Sequence, residues 1–193
     1  MTATASRSPF ALAEWAAIAA IIFVWGVNNA AAKLATDVLP PFFVGGVRFA
    51  IALVVLIPFL KPPFPPLRQV GPILLLLGPL HFGLIYYGFS IVKNLSPLVV
   101  SLQLWIPMTA FFAWRLLGET MSRSGLAGMI VAFAGVAWMS LDPHAAGDLP
   151  GILIGVVASA MWALGTVWVR RSPSVTPLKM QALTSLVGAP ALL

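Results

Sequence analysis

The chain contains no cysteine, which excludes disulfides and thiolate chemistry. Charged residues make up only 8% of its 193 residues, whereas a soluble domain carries about a quarter. Its five carboxylates are Glu14, Asp37, Glu119, Asp142 and Asp148, and each falls at the end of an apolar run or between two runs. The sequence therefore lacks the intramembrane acid that a carboxylate proton relay or a sodium site would need.

Histidine is equally scarce. His81 and His144 are far apart and lack the spacing of metal ligands, and no nucleophile with a neighbouring base accompanies them. The sequence also has no phosphate-binding glycine loop with a lysine, so it gives no sign of an ATP-hydrolysing site. We therefore expect no cofactor, no metal and no enzymatic activity. The net charge of +6 comes from short basic clusters between apolar runs, a pattern typical of membrane topology and not of nucleic-acid binding.

Apolar residues make up 60% of the chain and form long runs. A membrane-spanning helix needs about 20 mostly apolar residues. Six segments fit this length approximately: Glu14–Ala35, Pro41–Leu60, Val70–Val92, Pro97–Leu117, Gly125–Leu141 and Gly151–Val169. A seventh begins near Pro177 and reaches Leu193 without a polar stop, which we interpret as a truncated chain. The short connections are rich in turn and breaker residues, so we predict an all-α polytopic membrane bundle without a soluble domain.

The first apolar run has a second interpretation, a cleaved signal peptide with Arg7 before it and Ala30 to Ala32 as the processing site. Its apolar core exceeds the usual length of about 7 to 15 residues, and further spans follow at once, so we favour a retained helix. The basic residues predict its direction. If the N-terminus is cytoplasmic, only Lys33 and Lys93 lie in outer connections, and the inner ones hold Arg7, Lys61, Arg68, Arg115, Arg123, Arg170, Arg171 and Lys179.

A weak internal repeat links the first and sixth spans. The stretch "VWGVNNAAAKLATDVLPP" from Val24 is echoed by "MWALGTVWVRRSPSVTPL" from Met161, which pairs Trp25 with Trp162, Lys33 with Arg170 and Pro40 with Pro177, each 137 positions apart. The echo begins after five spans, and an odd number of crossings inverts the second copy. Inverted repeats are typical of secondary transporters, whose two halves move about a central site.

Several stretches resemble a known repeat in their order along the chain. They are "WGVNNAAAKL", "PPFFVGGVRFAIAL" and "YYGFSIVKNLSPLVVSLQLWIPMTAFFAWRLLGETMSRSGLAGMIVAFAGVAWM". From about Trp15 to Leu141 the chain resembles the EamA-type repeat of the drug/metabolite transporter superfamily. The resemblance implies a ten-helix bundle of two inverted five-helix repeats, with residues 14–142 as the first repeat and residues 150–193 as the start of the second.

The same resemblance implies a secondary transporter of small polar metabolites in the bacterial inner membrane, an exporter of amino acids or related compounds that works by alternating access. Two alternatives stay open. One is a carrier of nucleotide sugars or lipid-linked sugars, which the superfamily also contains, and the other is a channel. The expected partners are the lipid bilayer and a small-molecule substrate.

The first span carries the clearest candidate site. At 100° per residue, Trp25, Asn28, Asn29, Ala32 and Lys33 share one helical face. An unpaired amide in hydrocarbon costs several kcal/mol, so this face should meet protein or a wet cavity. We predict Trp25 as a stacking wall and the asparagines as adaptable hydrogen-bonding groups for a polar solute. The alternative is that the amides only bond a neighbouring helix. Lys33 is predicted to be an anchor at the outer interface.

Two further candidates are ionisable. Arg48 lies about two turns into the second span, where it would hold a substrate carboxylate or phosphate, or else bond helix carbonyls or reach outward to the interface. His81 lies mid-way along the third span and could couple proton movement to transport, although a lone histidine in an apolar span is more often satisfied by a backbone carbonyl.

The remaining candidates are aromatic or amide residues. Of two adjacent tyrosines we select Tyr87 as facing the cavity. Gln103 and Trp105 would point about 200° apart on a continuous helix, so at most one is central, and the resemblance favours Gln103. Trp162 is selected as the repeat counterpart of Trp25. Gly125, Gly128, Ala132 and Gly135 form a stripe of small residues in the fifth span, which predicts close helix packing or, alternatively, the face of a homodimer.

Overall fold

The computed structural model describes residues 12–142, 146–171 and 175–193, so Arg7 and His144 lie outside it. The described ranges hold nine α-helices and no strand. They are α1 (Leu12–Thr36), α2 (Pro41–Leu56), α3 (Leu67–Leu75), α4 (His81–Ile91), α5 (Leu95–Leu102), α6 (Trp105–Phe112), α7 (Arg123–Ser140), α8 (Leu149–Val169) and α9 (Pro177–Leu192). Wide π turns at Leu76–Leu80 and Ala113–Leu117 and a 3-10 turn at Ile57–Phe59 complete the longer spans.

Six helical segments in the described part are long and apolar enough to cross a membrane. They are Leu12–Thr36, Pro41–Phe59, Leu67–Ile91, Leu95–Leu117, Arg123–Ser140 and Leu149–Val169, which confirms an all-α architecture with the six predicted spans. The predicted seventh segment is the helix α9, whose 16 residues are fewer than the about 20 that a crossing needs.

Helix α8 is the centre of the bundle, because it packs against α4, α5 and α6. Its side chains Ala158, Ala163 and Val167 are fully buried. Two glycines one turn apart allow this close approach. A Cβ on Gly151 would lie 2.1 Å from Val92, and a Cβ on Gly155 would lie 2.0 Å from Ser101 Oγ. Without a hydrophobic drive between helices in lipid, small residues of this kind let backbones pack closely.

The glycines in the small-residue stripe of α7 do not make such contacts with other helices in the described part of the chain. A Cβ on Gly128 or Gly135 would meet nothing within 4 Å, and one on Gly125 would meet only its own N-cap region, Ser122 and Met121. The prediction of close packing is therefore wrong for the glycines of this stripe, whereas Ala132 packs against the buried cluster that contains Leu104 and Met108. The small-residue spacing is present in both helices, but only in α8 do the glycines lie directly against a neighbouring helix.

Helix ends follow local chemistry. Ser122 accepts a hydrogen bond from Gly125 N–H at 3.0 Å and so caps the start of α7. Gly118 ends the preceding span with φ of +71°, a left-handed conformation that glycine adopts without steric cost. After it, Glu119 forms an ion pair with Arg170 at 2.7 Å. The turn at Gly118 thus directs the chain toward the end of α8.

Asp148 fixes the other end of α8. It is buried, and its carboxylate accepts hydrogen bonds from the backbone N–H groups of Lys93 (2.6 Å) and Asn94 (3.0 Å) and from the Asn94 side-chain amide (3.0 Å). Desolvation opposes its ionisation. The hydrogen bonds and the charge of Lys93 outweigh desolvation and lower the pKa of Asp148 below its ordinary value of 3.8. Asp148 thus joins the third and fourth spans to the sixth.

Asp148→Asn is expected to destabilise the protein by about 2 kcal/mol, because an amide cannot accept from all three donors. Since the folded-state pKa is lowered, the contribution of Asp148 is complete above pH 3.8 and is lost as the pH falls through the folded-state value. Thermal unfolding in detergent between pH 3 and 7 measures this. Asp37→Asn is the control, because its pair with Lys33 is partly exposed and should contribute under about 1 kcal/mol. Equal melting temperatures of the wild type and D148N would contradict the prediction.

Candidate functional site

A cavity of about 380 Å³ lies between the first, second, third, fourth and sixth spans. Its lining is aromatic and apolar with a few polar groups, as is common in small-molecule sites. The lining residues are Trp25, Asn28 and Asn29 of α1, Arg48 of α2, His81, Phe82, Ile85, Tyr86 and Phe89 of α4, Leu102, Gln103 and Trp105 of the fourth span, and Trp162 of α8. The structure therefore brings together seven of the eight residues selected from the sequence.

Tyr87 is the exception. It does not line the cavity, is 43% exposed and stacks on Phe42 with ring centroids 6.4 Å apart. The neighbouring Tyr86, which is 4% exposed, lines the cavity instead. Adjacent helical residues point about 100° apart, so only one of the two tyrosines can face inward.

The first span presents the predicted face. Trp25, Asn28 and Asn29 reach the cavity, and Ala32 one turn further is buried against neighbouring helices. The ammonium of Lys33, the predicted interfacial anchor, bonds the carboxylate of Asp37 one turn away. The polar stripe of α1 therefore ends in an ion pair at the end of the helix.

The third span is interrupted directly before His81. Gly78 has non-helical angles (φ −107°, ψ −113°) inside the π turn, and Pro79 follows it without an N–H. Gly78 also lies against α9, where an added Cβ would be 3.0 Å from Thr184. The interruption makes His81 the first residue of α4, at the depth of the cavity. Interrupted helices near the membrane centre are a common way of building transporter sites.

The fourth span is also broken, and the break explains why both Gln103 and Trp105 line the cavity. Pro107 has no N–H to donate to the Gln103 carbonyl, which accepts from Ile106 N–H (3.2 Å) in a tighter turn. Helix α5 ends at Leu102 and α6 begins at Trp105. The expectation that only one of the two side chains is central was therefore wrong, since it assumed a continuous helix.

Ser159 of α8 satisfies the Leu102 carbonyl, which this break releases, and also bonds the Ser101 carbonyl. It is fully buried, and its hydroxyl lies 2.8 Å from the Leu102 carbonyl and 3.2 Å from the Ser101 carbonyl. Leu102 would otherwise lack its helical partner, because the Ile106 N–H is used by Gln103. Sequence reasoning missed this residue. Its only signal was the i, i+4 spacing of Gly151, Gly155 and Ser159 on one face of α8.

Arg48 is the charged residue of the cavity lining. Its guanidinium carbon lies 4.1 Å from the centre of the Phe82 ring, a cation–π contact. Within the described ranges it has no carboxylate partner, and no acidic side chain lines the cavity. An arginine held on an aromatic face keeps its donors available for a bidentate anion.

His81 is 8% exposed, and its Nδ1 lies 2.7 Å from the carbonyl oxygen of Ala158 on α8. Its ring packs against Phe82 (centroids 4.9 Å apart) and Trp162 (4.7 Å). The carbonyl partner that the sequence suggested for His81 is therefore present. The contact with Trp162 also places the sixth span's tryptophan beside the interrupted third span.

A family model describes this chain over residues 12–141, two thirds of its length, and its description is EamA-like transporter family. The chain belongs to the EamA-like transporter family. This membership confirms the resemblance seen in the sequence, and the six membrane-capable helices are those of a multi-pass membrane protein.

Three relatives are transporters by name. An "Uncharacterized transporter YvbV" of Bacillus subtilis is 32% identical over 91% of this chain and 60% of its own length. An "Uncharacterized inner membrane transporter YedA" of Escherichia coli K12 is 24% identical over 79% and 51%. A "Probable amino-acid metabolite efflux pump" of Salmonella typhimurium is 29% identical over 90% and 58%. The chain thus spans between half and three fifths of these relatives, and no solved structure matches it.

Proposed function

We propose that this EamA family transporter is a secondary transporter that exports amino acids or related small polar metabolites across the bacterial inner membrane by alternating access. The observation that carries the proposal is the cavity, where Trp25, Asn28, Asn29, Arg48, His81, Gln103 and Trp162 meet. In this proposal the aromatic rings stack on the solute, the amides bond its polar groups, and Arg48 holds its carboxylate.

The architecture proposed for this activity is a pair of inverted five-helix repeats, with residues 14–142 as the first and residues 150–193 as the start of the second. Two observations support it. Trp25 and Trp162, the paired residues of the internal echo, line the same cavity from α1 and α8, and both the third and fourth spans are interrupted at that level. A cytoplasmic N-terminus and a homodimer form part of the proposal, the former supported by the distribution of basic residues.

The size of the cavity favours a small metabolite. Ligand pockets measure about 300 to 1,000 Å³, and this one lies at the lower end of that range. A nucleotide sugar or a lipid-linked sugar would require a site toward the upper end. The name of the Salmonella relative, an amino-acid metabolite efflux pump, supports the amino-acid class for that protein and suggests it for this one.

Reconstituted proteoliposomes test the proposal. A carrier should exchange radiolabelled neutral amino acids across the membrane at a rate that saturates with concentration and should show no single-channel current. Ohmic currents would support a channel instead, and saturable exchange of nucleotide sugars with no amino-acid exchange would support the alternative substrate class. Either outcome would overturn the proposed function.

A further inference from the structure

The contact between His81 and Ala158 fixes the hydrogen-bonding role of the imidazole. A carbonyl oxygen can only accept, so Nδ1, which lies 2.7 Å from it, must carry the proton and donate. In a neutral imidazole the other nitrogen, Nε2, is then unprotonated and can only accept. The fold thus selects one tautomer through a backbone atom of a different span.

The Nε2 atom is available to a solute. In the described part of the chain, Ser185 Oγ is the one buried side-chain N or O atom without a hydrogen-bond partner. His81 Nε2 has no protein donor either, so it must be at least partly accessible and not enclosed by protein. His81 lines the cavity, and its ring is fixed between Phe82 and Trp162. His81 therefore holds a hydrogen-bond acceptor in a fixed position on a residue that lines the cavity.

Arg48 supplies the complementary group nearby. The Arg48 guanidinium carbon lies 4.1 Å from the centre of the Phe82 ring, and the centre of the His81 ring lies 4.9 Å from the same point. The separation between the guanidinium carbon and the imidazole centre therefore cannot exceed the sum of these two distances. Arg48 only donates, and Nε2 of this tautomer only accepts. A carboxylic acid with an O–H or N–H on the adjacent carbon is long enough to bridge the two residues, because the hydrogen bond at each end spans about 3 Å. Its carboxylate would bond Arg48, and its O–H or N–H would bond His81 Nε2.

We propose that His81 is a specificity-determining residue, held as an acceptor by Ala158, and that the transported solutes are 2-amino or 2-hydroxy carboxylic acids. This inference rests on the proposed function and adds to it a required donor next to the carboxylate. A solute with the same carbon skeleton and no such donor leaves Nε2 unpaired in the cavity and binds about 10-fold more weakly.

Binding of matched solutes to the purified protein in lipid nanodiscs tests the donor requirement. The probes are propionate, lactate and alanine, and the larger series 3-phenylpropionate, 3-phenyllactate and phenylalanine. Quenching of tryptophan fluorescence reports binding, because Trp25, Trp105 and Trp162 line the cavity. We expect lactate and alanine to bind about 10-fold more tightly than propionate, with the same order in the phenyl series.

Two substitutions separate recognition from structure. His81→Asn keeps an amide donor where Nδ1 lies and removes the atom at Nε2, so donor-bearing solutes should weaken about 10-fold to the level of propionate, which should not change. His81→Gln places its amide near the Nε2 position and loses the Ala158 contact, so it should keep part of the preference and lower the melting temperature.

The outcomes are distinct. If propionate binds the wild type as tightly as lactate and alanine, the donor requirement is overturned and the carrier proposal is unaffected. If H81N retains the wild-type preference while H81Q weakens every solute equally, His81 has only a structural role and the inference fails. If no probe of either series binds, the proposed function fails together with the inference.

Discussion

Replacing Arg48 by alanine is expected to weaken the binding of carboxylate solutes by about 10- to 100-fold, the value of a charge-assisted hydrogen bond or bidentate pair. The cavity lining has no other charged side chain in the described part of the chain, so no neighbour can take over the role. Arg48→Lys should have an intermediate effect, because a lysine keeps the charge and loses both the planar fork and its stacking on Phe82. Concentration-dependent exchange in proteoliposomes measures these differences.

Arg115 provides a matched control for Arg48. It also lies over an aromatic ring, 5.6 Å from the centre of Trp114, but it does not line the cavity. Arg115→Ala should therefore leave the apparent affinity for carboxylates unchanged, which separates loss of recognition from general loss of an arginine–aromatic contact. Normal affinity in R48A, at wild-type levels of inserted protein, would remove Arg48 from the site.

The largest effect on stability is expected for Gly155→Ala. The new Cβ would lie 2.0 Å from Ser101 Oγ, 2.9 Å from Leu98 Cδ1 and 3.3 Å from the Leu98 carbonyl, so α8 and α5 would have to separate. Overpacking of this kind costs about 1 to 3 kcal/mol. The separation would also weaken the Ser159 bonds that hold the broken fourth span. Thermal unfolding monitored by size-exclusion chromatography in detergent measures the loss.

Gly128→Ala is the control for this substitution. It lies in α7, where an added Cβ meets nothing within 4 Å, so the change should leave the melting temperature unchanged or raise it through the better helix propensity of alanine. Opposite effects of one methyl group at two helical glycines would establish that contact, and not residue type, decides the result. A melting temperature for G155A equal to that of the wild type would contradict the close packing of α8.

The sequence predicted the features that depend on solvation alone. The six spans followed from the length of the apolar runs, and the face of α1 with Trp25, Asn28 and Asn29 followed from the cost of leaving amides in hydrocarbon. Both features depend on a single helix and its surroundings. A membrane span has few options for its backbone and for its polar side chains, so its sequence largely determines them.

The features that the sequence did not predict depend on where a span is interrupted and on which neighbouring helix each face contacts. The positions of Gln103 and Trp105 required knowledge that the fourth span stops at Leu102, which Pro107 suggests but does not locate. The choice between Tyr86 and Tyr87 required the phase of α4 after a π turn of unpredicted width. The close contacts of α8 and the open stripe of α7 have the same small-residue spacing, so only the neighbours distinguish them.

The two ends of α8 are held with unequal strength. At its start the buried Asp148 binds three donors from the Lys93–Asn94 segment, whereas at its end the bond between Arg170 and Glu119 joins two side chains that are each about half exposed. An exposed ion pair contributes about 0 to 1 kcal/mol and is screened by salt, and the buried carboxylate contributes more. We therefore expect α8 to move more at its Arg170 end than at its Asp148 end. As ionic strength rises, the Arg170–Glu119 pair should separate more readily.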